Sequence, residues 1–308
     1  MGRYINPRGA VSSNGHTEQG ALLPDPFLIT GPALISFSGG RTSAYMLWCI
    51  LQAHGGTLPD DVVVAFANTG KEREETLRFV HECGSRWGVE IIWIEWRPKP
   101  ERFARVGFNS AARDGEPFDG LIELRGRLPN PLQRFCSREL KVEPIKELCL
   151  SLGWKHWKNV IGLRYDEGHR LLRKYAENDK GGHRWKSAMP LDKGRATKRE
   201  VMAFWLGDNA DPLNLIHPLP QGFDLGLRSH EGNCDLCFLK SEGKLQAIIR
   251  ANPGVEDWWI AKEAEGKRFE RSRPFTAIAS ATRSQPLLPL GDDEHDAECG
   301  LSCGEEAA

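Results

Sequence analysis

The stretch at residues 33–46, ALISFSGGRTSAYM, joins a short apolar run to two glycines and several hydroxyl side chains, a combination suited to binding an anion. The apolar run predicts a buried strand, and the apolar spacing after the glycines predicts a helix. Glycines let the backbone approach a ligand closely, and free N–H groups at a helix start attract negative charge. The loop matches neither common glycine-rich phosphate motif, so an ordinary strand–helix turn is the competing interpretation. The residues expected to bind phosphate or sulfate here are Ser36, Ser38, Gly39, Gly40, Arg41, Thr42 and Ser43.

A second polar loop, NTGKE at residues 68–72, follows a second predicted strand at residues 61–67. A helix at 71–87 and a third strand at 90–96 come next, and another strand is predicted at 158–163. Strands that alternate with helices predict a parallel, doubly wound α/β sheet with three αβα layers. Ligands of such sheets bind beyond the carboxyl ends of the strands, where both loops fall. The second loop is therefore expected to contribute Asn68, Thr69, Gly70, Lys71 and Glu72 to the same site.

The pair Cys234 and Cys237 forms a C-x-x-C motif, whose spacing suits either a tetrahedral zinc ion or an iron–sulfur cluster. Cys136 is the best candidate for a third ligand, because it opens a predicted helix near the sheet rim. His230 is a possible fourth ligand by proximity to the motif. Three other cysteines lie inside predicted helices and are expected to be inert core thiols: Cys49, Cys83 and Cys149. Cys299 and Cys303 lie in a polar tail, where a thiol can react.

Composition bounds the class of protein. The 308 residues carry a net charge of −1, so no global field selects a nucleic acid or a membrane as partner. No apolar run approaches the roughly 18 residues of a membrane helix, and the N-terminus lacks an apolar signal segment, so a cytoplasmic protein is expected. In that compartment eight cysteines favour metal or redox chemistry over disulfides.

Composition also divides the chain. We expect a disordered arm at residues 1–28, a nucleotide-binding domain at 29–245, a helical extension at 246–283 and an acidic, cysteine-containing tail at 284–308. Residues 155–199 hold 13 Lys or Arg against 5 Asp or Glu. This local excess is either a solvated face or a surface that binds a polyanion such as nucleic acid.

Five motifs in order resemble the phosphoadenosine phosphosulfate (PAPS) reductase family, within the PP-loop group of adenine-nucleotide α-hydrolase-like enzymes: SFSGGRTS, FANTGKEREETLRFV, FCSRELKVEPI, GLRYDEGHR and GNCDLC. The resemblance covers roughly residues 33–245. It implies a doubly wound sheet of the PP-loop type, nucleotide phosphates or sulfate at residues 38–43, and adenosine beside residues 68–72. It also implies a substrate-binding turn with Arg164, Asp166, Glu167 and Arg170. Thr42 stands where the family often has an acid. Because that acid is missing, the resemblance gives less support for Mg²⁺–pyrophosphate binding and for ATP cleavage.

The same resemblance implies a metal centre. Adenylyl sulfate reductases of the family hold a [4Fe–4S] cluster with a Cys-Cys pair before a K-V-x-P segment and with a later C-x-x-C. Aligned on residues 141–144, this chain has Cys136 on the first cysteine and Ser137 on the second, so Cys136, Cys234 and Cys237 retain three of the four ligands. The tail sequence ECGLS resembles the E-C-G-L-H of reductases, with Cys299 on the nucleophile and Ser302 in place of histidine.

These residues and the resemblance support three alternative hypotheses about function. In the first, a reductase binds adenylyl sulfate or PAPS, the Cys299 thiolate attacks the sulfate sulfur, and a thioredoxin-like thiol donor releases sulfite. Arg164, Arg170 and Lys141 would offset the charge on the sulfate and the leaving phosphate, which makes Cys299, Lys141 and Arg164 the expected catalytic residues.

The alternatives use the same residues differently. An ATP-dependent sulfurtransferase would act on a nucleic acid or nucleoside, with three cysteines on a cluster leaving one iron open to sulfide and with residues 155–199 holding a phosphate backbone. A non-catalytic nucleotide-binding module would instead hold a structural zinc with Cys136, Cys234, Cys237 and His230.

Overall fold

The computed structural model describes residues 24–207 and 223–284. The predicted N-terminal arm, except for its last five residues, lies outside this part of the chain. So does the predicted tail after its first residue, which includes Cys299 and Cys303.

Six strands form one sheet in the order β4-β3-β2-β1-β5-β6, in which every neighbouring pair is parallel except β3 and β4. The strands are β1 (Ala33–Ser36), β2 (Val62–Asn68), β3 (Ile91–Trp96), β4 (Phe103–Val106), β5 (Trp157–Val160) and β6 (Trp185–Ala188). The helices are α1 (Arg41–Ala53), α2 (Glu74–Trp87), α3 (Glu116–Arg125), α4 (Phe135–Ser137), α5 (Glu143–Ser151), α6 (Gly168–Lys180), α7 (Pro190–Lys193), α8 (Lys198–Leu206), α9 (Glu242–Ala251), α10 (Asp257–Lys262) and α11 (Phe275–Ser284). The predicted α/β class with a doubly wound sheet is confirmed.

The central strands are buried on both faces, as their continuous apolar sequences predict. Successive side chains of a strand point to opposite faces, so β1 directs Ile35 to one face and Leu34 to the other. Ile35 belongs to an apolar cluster with residues of α1, α2 and α8. Leu34 belongs to a second cluster that includes Leu148 of α5 and Trp157 of β5. Helices therefore cover both faces of the sheet.

A third apolar cluster lies beside the sheet and joins segments that are far apart in the chain. Phe118 of α3, Leu236 of the C-x-x-C segment, Trp259 of α10 and Phe275 of α11 are all buried in it. The C-terminal helices thus pack directly against the segment that carries Cys234 and Cys237.

The chain reverses its direction of sheet growth at β1. Successive units add β2, β3 and β4 on one side of β1, and later units add β5 and β6 on the other. In parallel sheets the crevice at such a switch point is the usual ligand site. The loop after β1 and the loop after β5 meet at this position.

Two short strands were not predicted from the sequence. β4 lies within the arginine-rich stretch after residue 98 and pairs antiparallel with β3 at the sheet edge. β6 is the opposite edge and pairs with β5. Each has only four residues, and neither shows a clear alternation of apolar and polar side chains.

The predicted helix after Cys136 is present, with an irregularity at its start. α4 leads through π-helical residues Arg138–Val142 into α5, and Pro144 lies in the first turn of α5. π-Helical turns widen the backbone spiral and are frequent at functional sites. Across residues 24–207 and 223–284, no helix combines the length and apolar character needed to span a membrane.

Candidate functional site

The loop between β1 and α1, residues 38–43, is called the anion loop below. Ser38 N–H donates to Ser43 Oγ at 3.2 Å, the two hydroxyl oxygens are 3.0 Å apart, and Ser43 Oγ donates to the Gly40 carbonyl at 2.9 Å. Ala44 N–H makes a backbone bond of 3.1 Å to Gly40, so the three N–H groups before it have no partner within the helix. This arrangement presents N–H donors and a positive helix end to the crevice.

Gly39 is required by both conformation and space. Its φ is +78°, which side chains with a Cβ rarely adopt. A Cβ at this position would lie 2.6 Å from Thr76 Cγ2, on the first turns of α2. The loop can therefore approach α2 this closely only with glycine.

Arg41 does not direct its charge to the anion loop. Its guanidinium donates to both carboxylate oxygens of Asp224, at 2.8 and 2.6 Å, and to the Leu227 carbonyl at 2.8 Å. Burial acts to raise the pKa of Asp224, but hydrogen bonds from Arg41 and from the Gly226 N–H outweigh it and lower that pKa. Arg41 thus fastens the start of α1 to the segment that follows residue 222.

Arg164, from the loop after β5, brings a positive charge to the anion loop instead. Its Nη1 donates to Thr42 Oγ1 at 3.2 Å, and its Nε contacts Asp166 at 2.9 Å. Asp166 also accepts the N–H of Lys198 at 2.8 Å, and Glu167 pairs with both Arg164 and Arg170. The predicted substrate-binding turn therefore lies against the anion loop, with its two arginines held by two carboxylates.

The second loop, residues 68–72, is buried and internally hydrogen-bonded. Asn68 Nδ2 donates to Glu95 at 2.8 Å, and its Oδ1 accepts the Gly70 N–H at 3.1 Å. Glu72 Oε2 accepts both the N–H and the hydroxyl of Thr69, at 2.8 and 2.9 Å. These bonds hold the loop in place, although, among the described residues, the buried Glu72 Oε1 accepts no hydrogen bond and has only the Lys141 ammonium nearby, at 3.4 Å.

The second loop is also joined to the C-x-x-C segment. Lys71 Nζ lies 3.0 Å from the Asp235 carboxylate and 4.9 Å from the ring centre of Trp258. Asp235 N–H donates to the Lys71 carbonyl at 2.7 Å, and Thr69 Oγ1 is 3.6 Å from Cys234 Sγ. Lys71, expected from the sequence to bind a nucleotide, has its ammonium directed to Asp235, a residue that the sequence reasoning did not select.

The three candidate metal ligands line one cavity, called the thiol cavity below. It contains about 360 Å³ of space that protein atoms do not fill, part of it open to solvent. Lys141, whose Nζ is 3.4 Å from Glu72, and Thr69 add polar groups to the wall. The complete lining is Thr69, Phe118, Cys136, Ser137, Leu140, Lys141, Cys234, Cys237, Phe238, Leu239 and Trp259.

The donor set of this cavity fits a thiolate-bound metal centre. Three thiols from two separate segments face one partly closed space with apolar walls, and Ser137, which aligns with the fourth family cysteine, lines it too. His230 lies on the helical turn Ser229–Glu231 and is not part of this lining. Within the described ranges, no three His, Cys, Asp or Glu side chains already surround a single point as ligands would.

Lys240 lies directly behind the C-x-x-C turn. The residue is 5% exposed, and its Nζ donates to the carbonyls of Cys234 and Asp235 at 2.8 and 3.1 Å. Burial lowers the pKa of Lys240, while Cys237 and Cys234 act in the opposite direction. Sequence reasoning missed this residue, and its only sequence signal is its position three residues after Cys237.

The helical cysteines are buried as predicted. Burial raises the pKa of Cys49 and of Cys149 to about 12, and it raises the pKa of Cys83 as well. A thiol with a raised pKa is a poor nucleophile at neutral pH. The described cysteines thus fall into an inert group in the helices and a second group at the thiol cavity.

Residues 155–199 use part of their positive charge internally. Arg164, Arg170, Arg173 and Lys174 all pair with carboxylates of the same segment. Most of the remaining basic side chains, among them Arg184, Lys186 and Arg195, are exposed to solvent. A basic surface is present, and carboxylates of the same segment neutralise part of its charge.

Comparisons with known proteins find distant similarity. No family model matches the chain. An uncharacterized nin region protein of Escherichia phage lambda is 28% identical over 232 residues, which cover 72% of this chain and 71% of the phage protein. An uncharacterized protein of Methanocaldococcus jannaschii is 25% identical over 232 residues, which cover 75% of this chain but only 41% of that protein.

Among solved structures, the chain is similar to the U34-tRNA thiolase NcsA from Methanococcus maripaludis with its [4Fe-4S] cluster. The TM-score is 0.36 and the identity 15%, over 82% of this chain and 71% of that one. The two sequence relatives are both uncharacterized, and the structural similarity is low.

Proposed function

We propose that this protein is an adenine-nucleotide-dependent enzyme of the PP-loop group that transfers sulfur to an acceptor, with an iron–sulfur cluster held by Cys136, Cys234 and Cys237. The observation that carries the proposal is the thiol cavity itself. Its three thiols face one space, and Cys234 contacts the same loop that the resemblance associates with adenosine.

The anion loop supports the nucleotide part of the proposal. The N–H groups at the start of α1 would bind phosphate oxygens. Arg164, held against Thr42, would offset charge that develops on the leaving phosphate. An arginine at this position supplies positive charge where the resemblance leaves no acid to hold Mg²⁺.

The chemistry balances without a change in the oxidation state of the acceptor. An acceptor oxygen attacks the α-phosphate of ATP and displaces pyrophosphate. Hydrosulfide, the proposed sulfur co-substrate, then attacks the acceptor carbon and displaces AMP, which carries away the acceptor oxygen, so no oxidant or reductant is needed. A bound cluster would supply sulfur- and electron-transfer chemistry at the cavity. The apolar wall, which includes Phe118, Leu140 and Phe238, would exclude water that competes with sulfur for the activated acceptor.

The acceptor is proposed to be a nucleic acid or nucleoside. The exposed basic side chains of residues 155–199 are the surface proposed to bind its phosphates. Mass spectrometry of nucleosides from cells that express the protein tests this part. A thiolated nucleoside that appears with the wild type and not with Cys136→Ser is expected, whereas its absence in both would contradict the proposed transfer.

Anaerobic purification tests the cofactor. A brown protein that absorbs near 400 nm and contains iron is the expected result, and Cys136→Ser should lose most of that iron. Cys149→Ser is the matched control, since Cys149 is buried in α5 away from the cavity lining. A colourless protein that contains zinc would instead support the nucleotide-binding module with a structural metal.

Reduction of activated sulfate is the second candidate, and it rests on the ECGL sequence around Cys299. It requires a thioredoxin-like donor and sulfite as product. Titration with ATP, adenylyl sulfate and PAPS separates the candidates. Selective binding of adenylyl sulfate or PAPS, together with sulfite release that is lost in Cys299→Ala, would replace the sulfur-transfer proposal.

A further inference from the structure

Lys240 closes the C-x-x-C turn from its buried side. Its backbone N–H donates to the Cys237 carbonyl at 2.9 Å, and its Nζ donates to the carbonyls of Cys234 and Asp235 at 2.8 and 3.1 Å. Lys240 therefore contacts both ends of the motif, through its side chain at Cys234 and Asp235 and through its own backbone N–H at Cys237, so its position affects how the two sulfurs are presented to the cavity.

The surrounding charges do not balance around this lysine. Lys141 pairs with Glu72, and Lys71 pairs with Asp235. The other Asp235 oxygen accepts Trp259 Nε1 at 2.8 Å and the Leu236 N–H at 2.7 Å. Lys240 itself makes no ion pair with any carboxylate in the described parts of the chain. The Asp235 carboxylate is thus used by Lys71, Trp259 and Leu236, and, among the described residues, the buried ammonium of Lys240 contacts only backbone carbonyls.

A buried charge without a counter-ion is costly, so this surplus positive charge needs an anion nearby. Lys240 Nζ contacts the carbonyls of Cys234 and Asp235, so a thiolate formed at Cys234 when a metal binds would lie on the same turn as this ammonium. Cysteines bind metals as thiolates, and a centre with three of them adds negative charge to the cavity.

We propose that Lys240 is the positioning and charge-compensating residue of the thiol cavity, so that a thiolate-bound metal centre and this lysine stabilise each other. The proposal rests on the proposed function only in taking Cys136, Cys234 and Cys237 as metal ligands. It holds for an iron–sulfur cluster and for zinc alike, because both bind to thiolates.

The test compares Lys240→Met, Lys240→Gln and Lys240→Arg with the wild type, all purified and metal-loaded without oxygen. Lys174→Met is the matched control, because Lys174 is equally buried but pairs with Glu177 on α6. In competition with a chelator, we expect Lys240→Met to hold the metal about tenfold or more weakly, as for other residues that support metal ligands. Lys240→Arg should recover part of the loss, and Lys174→Met should match the wild type.

The thermal stability of the metal-free proteins provides a second readout. Unlike metal affinity, it is not expected to fall in Lys240→Met. Removal of an uncompensated buried charge should leave metal-free Lys240→Met at least as resistant to heat as the metal-free wild type. In an iron-loaded protein, loss of the positive charge should also shift the midpoint potential to more negative values. Lys240→Gln, which keeps a hydrogen-bond donor without the charge, should show the same shift even if Lys240→Met folds poorly.

Equal metal retention by wild type and Lys240→Met would overturn the proposal, and so would a wild type that binds neither iron nor zinc. Equal loss of stability in the metal-free and metal-loaded variant would also overturn it, because that pattern indicates a purely structural role. Absence of a thiolated product from a wild type that does bind metal would contradict the proposed function and leave this inference intact.

Discussion

The anion loop and the thiol cavity meet at one rim of the sheet, but they differ in how their parts are brought together. The anion loop comes from a single strand–turn–helix unit, and the hydrogen bonds among Ser38, Gly40 and Ser43 that shape its turn join residues five or fewer positions apart. The thiol cavity draws its wall from the second loop, α3, the α4–α5 stretch, the C-x-x-C segment and α10. Local geometry specifies the first, and tertiary packing specifies the second.

The two regions also differ in how exposed the carboxylates of their ion pairs are to solvent. Around the anion loop, Arg41 and Arg164 each reach a partly exposed carboxylate. At the thiol cavity, Lys71 and Asp235 form an ion pair whose side chains are only 8% and 11% exposed. A substitution at the cavity should therefore cost more stability than one at the loop, since water cannot replace the lost partner there.

The largest effect is expected from Asp235→Asn. This change leaves the buried Lys71 ammonium without its carboxylate, and we expect the free energy of unfolding to fall by about 3 kcal/mol. Lys71→Met combined with Asp235→Asn should recover much of that loss, because both members of the ion pair are then removed. Urea denaturation of the metal-free proteins measures both changes.

Glu147→Gln is the control for this substitution. It breaks an ion pair of similar length, 2.8 Å to Arg102, in which the arginine side chain is 45% exposed. We expect a cost of less than about 1 kcal/mol there. Equal costs at the two positions would remove the contrast in burial on which the comparison depends.

The same contrast explains what the sequence could predict. The strand, the glycine turn and the helix at residues 33–53 were predictable because the apolar spacing and the glycines that indicate them lie within one short stretch of sequence. The capping box of α8, with Thr197 and Glu200, was predictable for the same reason and is present. The short edge strands β4 and β6 were not, because four residues carry too little periodicity.

The partners of Arg41 and Lys71 could not be predicted either. Arg41 reaches Asp224, 183 positions later in the chain, and no spacing rule connects the two. The residue types at the rim were therefore predictable, whereas the direction in which each charged side chain points depends on the packing of the C-terminal segments.

A smaller effect is expected from Gly39→Ala, which tests whether the anion loop is specified by its own backbone. The alanine would adopt an unfavourable φ of +78° and approach Thr76 Cγ2 to 2.6 Å. We expect a loss of about 2 kcal/mol in stability together with weaker nucleotide binding. Denaturation and nucleotide titration give the two values.

Gly55→Ala separates strain from crowding. Gly55 has a similar φ of +68°, but a Cβ there meets nothing within 4 Å. Its cost should be about 1 kcal/mol from strain alone, with nucleotide affinity unchanged. Were Gly39→Ala to bind nucleotide as tightly as Gly55→Ala, close packing of the loop on α2 would not matter for the ligand.

The smallest effect is expected from Asp224→Asn, and it appears in the dependence of stability on pH. Arg41 lowers the pKa of Asp224 below its ordinary value of about 3.9, so the ionised carboxylate stabilises the folded protein. This stabilisation is complete above that ordinary value and disappears as the pH falls through the lowered pKa.

At pH 7 we expect Asp224→Asn to cost about 1 kcal/mol, as for a partly exposed pair. The difference between the two proteins should begin to shrink below about pH 4, where the carboxylate of the unfolded chain takes up a proton before that of the folded chain does. Denaturant unfolding at pH 7, 5 and 3.5 measures it, and a difference that grows as the pH falls would show that Arg41 and Asp224 do not stabilise the start of α1 as a charged pair.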